Sequence, residues 1–293
     1  MNSEMKGNRR RIKRRSMFKE VMVQLARNKL AMTGLIIFAI MLILCILAPL
    51  IAPYGFDDQD VSRKFISPNL TYLCGTDNLG RDIFSRLLYG GRISLMVGVL
   101  AAGFGAVIGT VLGAVAGYYG GKIDNVIMRI MDIMGSMPSM LLAITICAVL
   151  GNGIVNALIA VGISEIPGYA RIVRAPILQV KEKEYVEAAR SIDAGVPRIV
   201  FKHVLPNALS PLIVRVTMGV ASAITTVASL SFLGLGVQPP TPEWGAMLSA
   251  GRAYILQYPY MITFPGVCIA ILVLSLNFLG DGLRDALDPR LKT

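Results

Sequence analysis

The sequence predicts an all-α polytopic membrane protein with six transmembrane helices, and three observations predict it. Of 293 residues, 54% are hydrophobic and only 16% charged, with a mean hydropathy of +0.62; a soluble domain of this size carries about a quarter charged residues. Six apolar stretches, 31–53, 93–118, 126–150, 153–175, 209–236 and 262–281, each reach the roughly 20 residues that a bilayer-spanning helix needs. Basic residues also gather on alternate connections, the pattern that marks the cytoplasmic side of a membrane.

The basic tail, 1–30, holds ten Lys/Arg against Glu4 and Glu20, a net +8 of the chain's +11. Beside a first span, that charge fixes the N-terminus in the cytoplasm and offers a contact to anionic lipid headgroups. No folded module accompanies it, so nucleic acid is not an expected partner. The first span, 31–53, exceeds the 7–15 apolar residues of a signal-peptide core and reads as an uncleaved helix. Cys45, Cys147 and Cys268 lie in apolar spans and Cys74 in a polar loop; with no CxxC pair and a single histidine, neither a metal site nor a disulfide framework is supported.

The connection 54–91 balances Arg63, Lys64, Arg81 and Arg86 against Asp57, Asp58, Asp60, Asp77 and Asp82, and belongs outside the cell. Within it Ile83, Phe84, Leu87 and Leu88 share one helical face, which predicts a short amphipathic helix on the outer membrane surface. In the second span Gly105, Gly109, Gly113 and Gly117 recur every four residues and line one face, where small residues let another helix approach closely; packing within the subunit is the expected use, and contact with a second membrane subunit the alternative. Pro138 is expected to kink the third span. The later outer loop, 237–261, is proline-rich around Trp244, which reads either as an interfacial anchor or as a contact for an extracytoplasmic delivery protein.

A polar island lies between the fourth and fifth spans. Glu182 to Ala194 reads as a helix of about three turns with Tyr185, Ala189 and Ile192 on one face, stopped by Gly195 and Pro197. A second helical stretch, Arg198 to Val204, ends at Leu205-Pro206. This helix–turn–helix suits docking of a soluble partner, not chemistry within the chain. Gly121-Lys122 is preceded five residues earlier by Ala116 and followed by Ile123, so the P-loop pattern fails and the chain is not expected to be its own ATPase.

Glu187-Ala188-Ala189 followed by His203-Val204-Leu205-Pro206 resembles the cytoplasmic coupling loop of ABC importer permeases. Gly75-Thr76-Asp77-Asn78-Leu79-Gly80-Arg81-Asp82, Tyr169-Ala170-Arg171, Ser231-Phe232-Leu233-Gly234-Leu235-Gly236 and Gly280-Asp281-Gly282-Leu283-Arg284-Asp285 are similar to segments of the dipeptide, oligopeptide and nickel permeases, and Ala48-Pro49 to Pro53-Tyr54 to the second, C-type, member of the pair. The resemblance implies a type I ABC importer permease fold, with a transmembrane domain at 92–281, a coupling loop at 182–207 and a cytoplasmic tail at 282–293. It implies that Glu187, Ala188 and Ala189 dock on an ATPase, with Asp193, Gly195, His203, Leu205 and Pro206 completing the loop. Asp193 stands where the family has a turn glycine. The implied partners are a homologous second permease, two cytoplasmic ABC ATPases that hold ATP and Mg, an extracytoplasmic substrate-binding protein and membrane lipid; no cofactor is expected in this chain. A di- or oligopeptide is the expected cargo, with nickel or another metal chelate as the alternative and an ion-driven secondary transporter as the different-class reading.

Two acidic residues fall inside spans, where ionisable groups default to a functional hypothesis. Asp132 is expected to pair with Arg129 or with another helix. Glu165 either faces the pathway or pairs within the bundle.

Overall fold

The computed structural model describes residues 17–191 and 194–287, and among these the chain is helical, with one isolated bridge, Thr76 to Asp82, and no strand. The basic residues of 1–16 and the tail from 288 onward lie outside the described residues. Helix α1 (Met17–Arg27) leads into α2 (Lys29–Ile46), which Asn28 caps by accepting hydrogen bonds from the backbone N–H groups of Leu30 and Ala31. A break at Leu47 separates α2 from the single turn α3 (Ala48–Ile51), so the first expected span is two helical pieces.

Helix α4 (Ile83–Tyr119) runs for 37 residues, about 55 Å at the rise of an α-helix. The expected separate amphipathic helix does not exist: residues 83–91 are the first turns of α4, and Ile83, Leu87 and Leu88 are buried. Gly90 and Gly91 do not interrupt α4, because their bare backbones are where Glu243, Trp244 and Cys45 pack. Gly120, at φ +69°, ends the helix. The third expected span is α5 (Gly121–Gly135) and α6 (Ser139–Leu150), meeting at 90°. Pro138 sits at that break in an extended conformation (ψ 132°), turning the expected kink into a full corner.

Helix α7 (Ile154–Val180) carries Pro167 and Pro176 in its interior. After the polar island come α10 (Leu209–Phe232), α11 (Trp244–Gly251) and α12 (Tyr260–Leu287), the island itself holding α8 (Glu184–Ser191) and α9 (Val196–Ile199). Four helices, α2, α4, α10 and α12, are each long and apolar enough to cross a membrane, and α5 with α6 makes a fifth if the bent pair counts as one span. α7 is interrupted by Glu165, Arg171 and Arg174 and is not in that group.

The glycine face of α4 packs against α7 of the same chain. A methyl group at Gly109 would meet Tyr169 and the Ile166 carbonyl, at Gly113 the Ala170 backbone, and at Gly117 Ile177 and the Arg174 carbonyl. In lipid, where hydrophobic burial does not drive helix association, such backbone approach supplies the van der Waals contact. α2 uses the same device against α12, with Gly34 under Ser275 and Phe278 and Gly282 against Ala31.

The end of the bundle opposite α8 is closed by a polar cap. Arg81 Nε donates to Asp77 Oδ2 at 2.7 Å, both buried, and Arg86 Nη1 donates to the Phe56 carbonyl at 2.7 Å. Phe65 stacks on Tyr258 at 4.3 Å, and Tyr260 donates to the Thr76 carbonyl, joining the 54–82 segment to the start of α12. Trp244 is 2% exposed, so it is no interfacial anchor. Its indole donates to the Leu87 carbonyl at 2.9 Å, while Glu243 caps α11 and accepts from Ser94.

Candidate functional site

The polar island hangs from the end of α7 and returns into α10, so two bundle helices carry it. In α8, Val186 and Ala189, one turn apart, are buried against Val173, Ile177 and Val180 of α7 and against Ile199, Val204 and Ala208 on the returning strand of chain. Glu184, Glu187 and Ala188 point outward, and Tyr185 is 47% exposed. Of the expected face of Tyr185, Ala189 and Ile192, Ala189 is buried and Tyr185 is not: the branched Val186 and its i+3 neighbour Ala189 fill the inner face, and a tyrosine ring tolerates the boundary because its hydroxyl can stay wet. Of the triplet, Glu187 and Ala188 are exposed and Ala189 is 8% exposed.

Gly195 is exposed, and its carbonyl accepts from Ile199 N at 3.2 Å as α9 begins. The expected second helix, 198–204, is instead α9 followed by a π turn over Val200–Val204 and a 3-10 turn over Leu205–Asn207. Pro206 has no N–H to donate, which shortens the ladder there. Leu205 packs half-buried on the Val186–Ala189 cluster and Pro206 is exposed. Asp193, with Ile192, lies outside the described residues, and so does the side chain of His203.

Above the island, charged pairs join the bundle helices. Arg174 holds Asp124 of α5 with both carboxylate oxygens, at 2.5 Å each, and Arg171 donates to Asp132 at 3.0 Å. Asp132 thus pairs with another helix and not with Arg129; both its side chain and that of Arg171 are about half exposed. Glu165 pairs within the bundle: its Oε2 accepts from Arg215 Nη2 of α10 at 2.6 Å and its Oε1 from Ser222 Oγ at 3.1 Å. The Arg215 guanidinium also lies 5.3 Å from the centre of the Tyr169 ring, whose buried hydroxyl has no hydrogen-bond partner among the described residues. Arg215 is the residue that the sequence reading missed, although a cation inside the span 209–236 is the same signal that singles out Glu165.

Arg215 also lines a cavity of about 710 Å³ between α7, α10 and the end of α12, at the same end of the bundle as α8; Ile172, Pro206, Val214, Met218 and Arg284 share its wall. Among the described residues no three His, Cys, Asp or Glu side chains converge to hold a metal.

Residues 109–293 match the family described as "Binding-protein-dependent transport system inner membrane component", and residues 16–70 match the "N-terminal TM domain of oligopeptide transport permease C". The chain is 46% identical over 278 residues to the dipeptide transport system permease protein of Alkalihalophilus pseudofirmus, covering 95% of this chain and 91% of that one. It is 49% identical over 267 residues to a glutathione transport system permease protein of Escherichia coli, covering 91% and 88%. Among solved structures, the inward-facing MetNI methionine ABC transporter aligns at a TM-score of 0.56 with 24% identity, over 70% of this chain and 98% of that chain. An amino acid ABC transporter solved with histidines aligns at 0.52 with 15% identity, over 69% and 94%.

Proposed function

The chain belongs to the binding-protein-dependent transport system inner membrane components, and from that premise we propose that it forms half of the translocation path of an ATP-driven importer of di- or oligopeptides. Two of its relatives are named for a dipeptide and for glutathione, and the C-type N-terminal match places it beside the same group. α2 with α3, α4, α5 with α6, α7, α10 and α12 serve as six spans. Both termini and the α8 loop are cytoplasmic, by the charge asymmetry of the loops. Family membership removes the ion-driven secondary transporter from consideration.

In this reading α8 seats on a cytoplasmic ATPase subunit, a homologous second permease completes the path, and an extracytoplasmic binding protein delivers cargo. ATP and Mg are held by the ATPases. The observation that carries the coupling role is the division of α8 into two faces. Val186 and Ala189 anchor it to α7 and to the segment entering α10, while Glu187 and Ala188 stand outward. A carboxylate there accepts charge-assisted hydrogen bonds from a partner, and an alanine beside it allows close approach. Displacement of α8 is then handed to both helices as a rigid-body shift, a known route to alternating access.

The test is Glu187→Lys in the assembled transporter. Cargo uptake should fall to background with the subunit still present in the membrane at normal level. Uptake at the wild-type rate would overturn the assignment.

A further inference from the structure

The cavity beside α8's end of the bundle has the chemistry of an anion site. Two guanidiniums, Arg215 and Arg284, lie on a wall that also carries the polar Asn207 and Ser210 and a larger apolar part formed by Ile172, Val214, Met218 and their neighbours. Its volume, about 710 Å³, falls inside the roughly 300–1,000 Å³ typical of small-molecule sites. Arg215 is held in place, not loose: Glu165 fixes one nitrogen at 2.6 Å and the Tyr169 ring lies 5.3 Å from its carbon, yet the side chain stays 29% exposed. Glu165 is the one acceptor it engages among the described residues, out of five N–H donors in a guanidinium. Glu165 in turn accepts one bond on each carboxylate oxygen, from Arg215 and from Ser222, and is 5% exposed. The Glu165–Arg215 pair is neutral as a unit, and Arg284 is the other charged side chain among the described residues of the wall.

Resting on the peptide-importer reading, we infer that this cavity is a carboxylate station in the translocation path, where Arg215, oriented by Glu165 and Tyr169, receives the C-terminal carboxylate of the peptide and Arg284 supplies the balancing charge at the rim. The wall, apolar over most of its area with Asn207 and Ser210 beside it, fixes no particular side chain, so the station reads the main-chain terminus common to all peptides and not their sequence. Glu165 is then a positioning residue: it sets the guanidinium in a fixed orientation and keeps it from leaving the helix interface.

The experiment uses the complete transporter in proteoliposomes, with radiolabelled Ala-Ala and its C-terminal amide as paired cargoes and one unaltered binding protein throughout. Glu165→Gln/Arg215→Gln replaces the ion pair by a neutral hydrogen-bonding pair, which avoids stranding a buried carboxylate. Arg284→Gln alters only an exposed side chain. The expected result is that the ratio of kcat/KM for Ala-Ala over its amide falls about tenfold in the double variant, the size set by loss of one charge-assisted hydrogen bond, and falls by less in Arg284→Gln. Affinity of the isolated binding protein for each cargo is unchanged by construction, so a shift in the ratio reports the permease. Variants that keep cargo-stimulated ATP hydrolysis and the wild-type ratio overturn the inference. A wild-type ratio combined with a new dependence of uptake on the anionic phospholipid content of the vesicles would assign the cavity to a lipid headgroup and overturn it as well. Failure of the cargo reading looks different: the wild-type transporter would then import neither peptide.

Discussion

A guanidinium inside an apolar helix persists only where something answers its charge. Arg215 is answered by Glu165, and the pair ties α10 to α7. Glu165→Leu alone is therefore expected to lower stability of the purified subunit by about 3–5 kcal/mol, because it strands the partner. Glu165→Leu with Arg215→Met should cost far less. Thermal unfolding of both variants checks this, and equal losses would mean the pair is not the relevant unit. The sequence shows each charge by itself, but 50 residues separate them and nothing in the local pattern names the partner. Trp244 is equally visible in the sequence, and its packing partners are equally hidden there. An isolated tryptophan in an outer loop looks like an interfacial anchor until Gly90 and Gly91 are seen to make room for it. Trp244→Phe is expected to cost about 1–3 kcal/mol, since the Leu87 carbonyl loses its donor. Cys74 is a simpler case. Burial pushes its thiol up to about 11, so the unreactive neutral form dominates at any pH well below that. Maleimide labelling of Cys74 should be very slow at pH 7 and should still be rising at pH 10; a plateau near pH 8 would contradict the burial.

At the scale of elements, composition and period carry most of the fold. The apolar runs mark the helices, and the four-residue glycine spacing identifies the face that meets α7. Gly113→Leu is expected to force α4 from the Ala170 backbone at a cost of about 1–3 kcal/mol or more, seen as a lowered unfolding temperature and reduced membrane level. A substitution of the same size at Gly103, which has open space around it, should change neither. The boundaries were less legible. The surface helix around Ile83–Leu88 and the span 93–118 read as separate in sequence and are one helix in the structure, with Gly90 and Gly91 inside it as a packing site for Trp244. Pro138 is legible as a kink, but the size of the 90° corner between α5 and α6 is not, since a proline fixes its φ and leaves its ψ to the surrounding fold. In α8, the sequence period already puts Ala189 on the inner face, whereas the replacement of Tyr185 by Val186 there follows from the end of α7 that the helix meets.

At the scale of the whole molecule, the chain is a membrane permease subunit, and the proposed coupling role lies in a loop that two bundle helices carry. α7 and α10 share the α8 loop, the Glu165–Arg215 pair and the cavity, so one displacement reaches all three. The most direct test of the coupling claim is site-directed crosslinking in the assembled transporter, with the four native cysteines replaced. Ala188→Cys, on the outward face of α8, should crosslink through a short bis-maleimide to a cysteine in the surface of the ATPase subunit, with a yield that changes when ATP binds. Ala189→Cys, on the inner face, should not. No crosslink from Ala188→Cys in a complex that still transports peptide would contradict the account.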